Sequence, residues 1–347
     1  MIGLLGFAAI WALAVWKRPP RWQPWALAGV WWLAILWAHA PWVGSPPLAR
    51  LTGGEFRAWL VFGVILAVVG LYRLVLAAVK ARARPAAPQV AAAPKASFSA
   101  AELDRYARHI MLREIGGPGQ KRLKGAKVLV VGAGGLGSPV LLYLAAAGVG
   151  TVGVIDDDVV SNSNLQRQVI HTDARIGMPK VFSAELQMKA LNPYIEVRPY
   201  NRRLSEADAP ALFAEYDLIL DGTDNFATRY MVNAAAVAAG KPLIAGAIAQ
   251  WEGQLSVYDP ARGAPCFACV FPEAPAPGLA PSCAEAGVVG ALPGVVGAMM
   301  ATEAIKEITG AGQGLRGRLL IHDALWGESR QIAVKPRPDC AVCGAKS

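Results

Sequence analysis

The run Gly132-Ala133-Gly134-Gly135-Leu136-Gly137 follows the apolar stretch Val128–Val131 and precedes a second apolar segment. Small residues at Gly132, Gly134, Gly135 and Gly137 let backbone amides and a helix N-terminus approach the phosphates of a nucleotide. Asp156 ends the next apolar run, where an acidic side chain can accept hydrogen bonds from a ribose. Alone, that pattern fits NAD or FAD as well as ATP. Two cations then favour ATP. Arg167 lies in Asn164-Leu165-Gln166-Arg167-Gln168 and Lys180 in Gly177-Met178-Pro179-Lys180, and together they suit a triphosphate on which charge is building. Asp221-Gly222-Thr223-Asp224-Asn225 closes a later strand, where a carboxylate such as Asp224 can hold Mg²⁺ against the phosphates. Each residue also has an ordinary reading, since surface cations are usually solvated and strand-end Asp residues often cap helices.

Cysteines supply the second chemical signal. Cys266/Cys269 and Cys340/Cys343 are two Cys-x-x-Cys pairs, and four thiolates close a tetrahedral Zn²⁺ site that braces a fold without reacting. Disulfides are the alternative, disfavoured in a reducing compartment. The fifth cysteine, Cys283, stands in a Pro-, Gly- and Ala-rich stretch; it is either a thiol that handles sulfur or a small apolar residue.

These residues need a scaffold that brings strand ends together. From Lys127 onward the pattern alternates: strands at 128–131, 152–155, 195–198 and 218–220, helices at 136–148, 180–191 and 207–213. Such alternation predicts an α/β fold, a doubly wound, mostly parallel sheet of Rossmann type. Later strands are expected at 243–247, 254–258, 318–322 and 330–334. Residues 288–308 read as a buried helix rather than a membrane span, because Pro293 and Gly297 interrupt it and Glu303, Lys306 and Glu307 charge its end. Ser99 and Glu102 form a capping box that should start a helix running to about Ile115, and Gly116-Gly117-Pro118-Gly119 should break the chain after it.

Charge divides the chain. Residues 1–98 carry ten Lys and Arg against one acidic residue, whereas residues 99–347 carry 24 of each, so the net charge of +9 belongs to the first segment. The balanced larger part has no basic stripe of the kind a nucleic-acid binder needs, and no nucleic-acid partner is expected. Nine of the eleven Trp residues fall between Trp11 and Trp59 among long apolar runs. About three transmembrane helices are therefore expected within residues 1–79, the first being short, followed by an Ala/Pro-rich linker over 80–98 and a catalytic domain over 99–347. Lys17, Arg18 and Arg21, with Lys80, Arg82 and Arg84, predict a multi-pass protein of the inner membrane with its catalytic domain in the cytoplasm. A signal peptide and a soluble helical bundle are the alternatives for the first segment.

From Tyr106 to Cys343 the sequence resembles the MoeB/ThiF/HesA adenylyltransferases, most of all MoeB. The resemblance rests on Gly-Ala-Gly-Gly-Leu-Gly, Asn-Leu-Gln-Arg-Gln, Thr-Asp-Asn and the paired Cys-x-x-Cys, and it leaves residues 1–98 outside. It implies ATP-dependent adenylylation of the C-terminal glycine of a ubiquitin-like sulfur carrier, MoaD- or ThiS-like, for molybdopterin or thiamine synthesis. It further implies that Asp156 holds the ribose, that Arg167 and Lys180 neutralise phosphates and that Asp224 serves Mg²⁺, with Asn164, Gln168 and Asn225 lining the site. Arg108 matches an arginine that reaches the nucleotide of a neighbouring subunit, which implies a homodimer. Cys283 matches a cysteine linked to sulfur handling in ThiF-like relatives. Three other readings stand beside this one: an ATP-using tRNA-modifying dehydratase of the same fold, an NAD-binding membrane protein with redox or structural work, and a catalytically idle docking module.

Overall fold

The computed structural model describes residues 2–17, 23–40, 50–53, 55–83, 98–276 and 286–344. The chain divides into two compact units, Met1–Ala91 and Ala92–Ser347. Cys283, Arg18, Arg21 and most of the expected 80–98 linker lie outside the described residues.

In the first unit the apolar runs form three helices, Ile2–Lys17, Gln23–Ala38 and Phe56–Ala83. Indole groups tie them together: Trp31 Nε1 donates to the Gly3 carbonyl at 3.0 Å, Trp32 Nε1 to that of Trp59 at 2.9 Å and Trp59 Nε1 to that of Gly53 at 2.7 Å. The expected membrane spans, and the multi-pass inner-membrane location built on them, are overturned. Among the described residues, no helix is long and apolar enough to cross a membrane. The first two helices have 16 residues each, a rise of about 24 Å against a hydrocarbon core of about 30 Å. No stretch of described residues in the third meets both requirements.

In the second unit an eight-stranded sheet has the order β3-β2-β1-β4-β5-β6-β7-β8. Its strands are β1 Lys127–Val131, β2 Thr151–Ile155, β3 Glu196–Tyr200, β4 Leu218–Asp221, β5 Leu243–Ile248, β6 Glu252–Tyr258, β7 Arg318–Asp323 and β8 Glu328–Ala333. β1 to β5 pair in parallel, while the β5–β6, β6–β7 and β7–β8 ladders are antiparallel. The sheet is thus mixed, with four parallel ladders and three antiparallel ones. The reason is visible at β5 and β6: only residues 249–251 separate them, too few for a crossover, so the chain must fold back on itself.

The two faces of the sheet take alternate residues of the central strands. Val128 and Val130 pack with the helices Gly137–Ala147, Lys180–Leu191 and Leu292–Thr309. Leu129 and Val131 pack on the other face with Ala209–Ala214 and Phe226–Ala238. Both faces being covered explains why β1, β2 and β4 read as unbroken apolar runs.

Two expectations about helices need correction. Ser99 and Glu102 do form the capping box, but the helix ends at Arg105, a second covers Ala107–Met111, and Gly116–Gly125 is itself helical. Gly116, at φ +57°, makes the turn into that helix, and Pro118 falls in its first turn, where a missing N–H costs nothing. For the same reason Pro293 starts the helix Leu292–Thr309 instead of interrupting it. A Cβ on Gly297 would lie 2.3 Å from Pro139 Cγ, so that glycine lets two helices touch.

Candidate active site and cysteine cluster

β1 leads to β2 on one side and has β4 on the other, so the chain reverses direction across the sheet at β1, the place where doubly wound folds open a crevice. Val131 and Asp221 pair at the ends of β1 and β4. Gly132 leaves β1 at φ +93°, a conformation L side chains rarely adopt. A Cβ on Gly137 would sit 2.0 Å from the Gly132 carbonyl oxygen. The turn therefore closes tightly enough to put Gly134, Gly135 and Leu136 on the wall of a cavity of about 910 Å³.

Asp156, at the end of β2, lines the same cavity and anchors the turn: its Oδ2 accepts the Ala133 amide at 2.7 Å and its Oδ1 the Asp158 amide at 2.8 Å. Each carboxylate oxygen has a second lone pair open to a ligand hydroxyl. Lys180 begins the helix Lys180–Leu191, and its Nζ donates to Asp158 Oδ2 at 2.7 Å. Arg167 also lines the cavity, its Nη1 bonded to the Ser163 carbonyl at 3.1 Å. Gln168, buried beside Gly134, leaves its Oε1 without a partner among the described residues.

The opposite wall comes from the end of β4. Asp221 is buried and accepts both the amide and the hydroxyl of Thr223, at 2.9 and 2.7 Å, while Arg229 donates to the Thr223 carbonyl. This fixes the loop that presents Asp224, which is exposed, lines the cavity and has no hydrogen-bond or ion-pair partner among the described residues. Asn225 also lines it, but its side chain caps the next helix by accepting the Thr228 amide at 2.9 Å. The cavity continues past Ile248, Gln250 and Glu252 toward Ala286 and Gly287, leaving room for a chain beyond a nucleotide.

Two of the residues named from sequence stand apart. Asn164 is not on the cavity wall; its carbonyl accepts the amides of Arg167 and Gln168 and so shapes their turn. Arg108 is exposed on the helix Ala107–Met111, also away from the wall. Sequence reasoning passed over Asp158 and His171, and quoted Asp221 and Thr223 in a motif without giving either a role. Asp158 stands in a run of three carboxylates, a visible signal. Nothing local marks His171, whose partners Ala133 and Ser183 are 38 and 12 residues away. Burial, with help from the cations of Lys180 and Arg175, holds its imidazole below the usual histidine range.

The four paired cysteines meet in the second unit. Their sulfurs lie within 4.8 Å of one another, with 3.8 Å between Cys266 and Cys269, 3.6 Å between Cys266 and Cys340 and 3.3 Å between Cys269 and Cys343. All four are free thiols, so the disulfide alternative is set aside. Tetrahedral Zn–S bonds of about 2.3 Å put sulfurs about 3.8 Å apart, close to this spacing. Burial pushes the Cys266 thiol well up, and four adjoining sulfurs shed their protons together only around a cation. The donor set fits zinc.

Comparison with known proteins agrees with this architecture. The ThiF family model matches residues 106–342. A sulfur carrier protein adenylyltransferase of Thermus thermophilus is 51% identical over 247 residues, covering 70% of this chain and 91% of the relative. A probable adenylyltransferase/sulfurtransferase, MoeZ of Mycobacterium tuberculosis, is 54% identical over 248 residues; these cover 71% of this chain but 63% of MoeZ, so the chain spans less than two thirds of that relative. A crystal structure of E. coli MccB with MccA-N7isoASN shares the fold, with a TM-score of 0.62 at 24% identity over 69% of this chain and 74% of that one.

Proposed function

We propose, from the premise that this chain belongs to the ThiF family, that it is a nucleotidyltransferase which uses ATP to adenylylate the C-terminal glycine of a ubiquitin-like sulfur-carrier protein. The observation that carries the reading is the cavity at the ends of β1 and β4, whose wall includes the glycine turn, Asp156, Arg167, Lys180 and Asp224. The name of the Thermus relative points the same way.

In this reaction a carboxylate oxygen of the carrier attacks the α-phosphorus of ATP, the bond to the β-phosphate oxygen breaks, and pyrophosphate leaves behind a mixed carboxylic–phosphoric anhydride. A C-terminal carboxyl is already ionised near neutral pH, so no general base is required. The chain's work is positioning and charge neutralisation. Amides of the 132–137 turn hold phosphate oxygens, Arg167 and Lys180 balance the charge that builds on the leaving pyrophosphate, and Asp156 accepts the ribose hydroxyls. Asp224, without a partner among the described residues, would hold Mg²⁺, which when bound supplies further neutralisation of the phosphates. Gln168 offers its orphaned Oε1 to the nucleotide. Cys283 has no part in this step, which needs no thiol.

The working unit is a homodimer. Arg108 is exposed and away from its own cavity, which suits service to the nucleotide of a second copy. Cys266, Cys269, Cys340 and Cys343 would hold Zn²⁺, which when bound would brace the fold without reacting.

The test is ATP–pyrophosphate exchange with purified candidate carriers, comparing wild type with Asp224→Ala. Carrier-dependent exchange in the wild type, lost in the variant, is expected. Absence of exchange with every carrier, or NAD bound in preference to ATP, would overturn the reading.

A further inference from the structure

We propose that His171 is a positioning residue of the adenylation site: its Nε2–H holds the Ala133 carbonyl toward the protein interior and so turns the Gly134 amide toward the bound phosphates. This inference rests on the adenylation reading above.

His171 is 5% exposed and lies behind the cavity wall, not on it. Its Nε2 is 3.0 Å from the Ala133 carbonyl oxygen and its Nδ1 is 2.9 Å from the Ser183 hydroxyl. A carbonyl only accepts, so Nε2 must carry the proton. Burial first, then the cations of Lys180 and Arg175, disfavour a second proton, while the hydrogen bond to the Ala133 carbonyl and the Asp156 carboxylate favour one; the balance holds the imidazole below the usual histidine range. Nδ1 therefore accepts from Ser183.

A trans peptide is planar and sends the carbonyl and the following N–H in opposite directions. With the Ala133 carbonyl directed at His171, the Gly134 N–H faces the other way, toward the cavity that Gly134 lines. Consistent with this, that amide has no backbone acceptor among the described residues. The peptide on the other side of Ala133 is fixed by Asp156 through the Ala133 amide. Two hydrogen bonds thus set both peptide planes of one buried residue.

Glycine at 134 makes this clamp necessary, because a residue without Cβ tolerates a peptide flip that most others resist. A flip between Ala133 and Gly134 would replace a donor facing the phosphates with a carbonyl oxygen, and attraction with repulsion. By holding the carbonyl, His171 preorganises the donor before ATP arrives. It also links the turn to the helix that carries Lys180, since Ser183 is on that helix and its carbonyl accepts from Arg175 Nη1 at 3.0 Å.

The experiment compares wild type, His171→Gln, His171→Asn and His171→Leu by carrier-dependent pyrophosphate exchange and thermal melting. Glutamine can place an amide N–H near the position of Nε2, asparagine only near that of Nδ1, and leucine neither. Exchange within about threefold of wild type is expected for the glutamine variant, with kcat lowered about tenfold in the other two and the Gln and Asn variants melting alike. Equal losses in Gln and Asn would reduce His171 to packing, and no loss in any variant would end the proposal. A wild type without exchange removes the adenylation reading, and the His171 role with it. Exchange in wild type undiminished in His171→Asn removes only the role of His171. Nitrogen NMR of wild-type protein with ¹⁵N-labelled histidine needs no variant to fold. An Nδ1-protonated ring, or an imidazolium near neutral pH, would also overturn the proposal.

Discussion

The ammonium of Lys180 lies 2.7 Å from the carboxylate of Asp158, with 7% of the lysine side chain exposed against 67% of the aspartate's. A nearly buried cation is thus held by a partner at the rim of the cavity. Lysine has three donor hydrogens, so an arriving phosphate can take a second one without breaking the pair.

Lys180 and Asp158 should therefore respond differently to mutation. Lys180→Met is expected to lower pyrophosphate exchange about 100-fold, the scale of one lost electrostatic donor. Asp158→Asn keeps the ammonium and should cost less than about tenfold, mostly as a higher KM for ATP. Similar losses in kcat from both changes would mean that Lys180 serves the fold rather than the phosphates.

Metal dependence should separate Asp224 from its neighbour Asp221. Asp224→Asn is expected to raise the Mg²⁺ concentration for half-maximal exchange about tenfold or more, with melting temperature unchanged. Asp221→Asn should instead lower the melting temperature, because Asp221 is buried and accepts both groups of Thr223. An unchanged Mg²⁺ requirement in Asp224→Asn would place the metal elsewhere.

The cysteine cluster should be structural. Metal analysis of purified protein is expected to find about one zinc per chain, and Cys340→Ser should lose most of it and melt several degrees lower. Residual exchange, measured well below that melting point, should survive. Loss of exchange in a variant that is still folded would show that the cluster reaches the active site.

Close packing at the glycine turn predicts a large effect from one methyl group. A Cβ at position 137 would stand 2.0 Å from a backbone oxygen that no side-chain movement can relieve. Gly137→Ala should destabilise the unit by about 3 kcal/mol and abolish ATP binding even where it folds. Tight ATP binding by this variant would show that the turn can relax.

Acid should weaken the fold in part through His171. Its folded-state pKa lies below the ordinary value near 6.5, so on acidification the unfolded chain takes up the proton first. Stability is then full above about pH 6.5 and falls as pH drops toward the folded-state pKa. Burial is the main cause, the Lys180 and Arg175 cations add to it, and the Ala133 hydrogen bond and Asp156 oppose it. Urea midpoints between about pH 7.5 and pH 5 should decline less steeply for His171→Gln than for wild type. Parallel slopes would assign the acid sensitivity to other groups.

Legibility in the sequence tracked how local the physics is. The glycine turn, the capping box at Ser99 and the Cys-x-x-Cys pairs are short patterns whose residue types follow from backbone geometry or ligand count. The helix at Gly116 was misread because glycine and proline break helices in the interior yet are harmless in a first turn, and only the position of the turn distinguishes the two cases. The Trp-rich segment reads as membrane spans because composition reports apolarity without showing how it is distributed along each helix. In the described residues, indole N–H groups bond backbone carbonyls between and beside helices, none of which is both long and apolar enough to cross a membrane.

Residue order alone carries the alternation of strands and helices, the apolar central strands and the candidate groups proposed here for a triphosphate. Those follow from periodicity and from chemistry carried on single side chains. Packing in three dimensions sets that the last three ladders run antiparallel, that Asp158 holds Lys180, that Asp224 has no partner among the described residues while Asn225 caps a helix, and that His171 backs the glycine turn. Each of these depends on residues brought together from distant parts of the chain by packing on the two faces of one sheet, and spacing along the chain carries no record of that meeting.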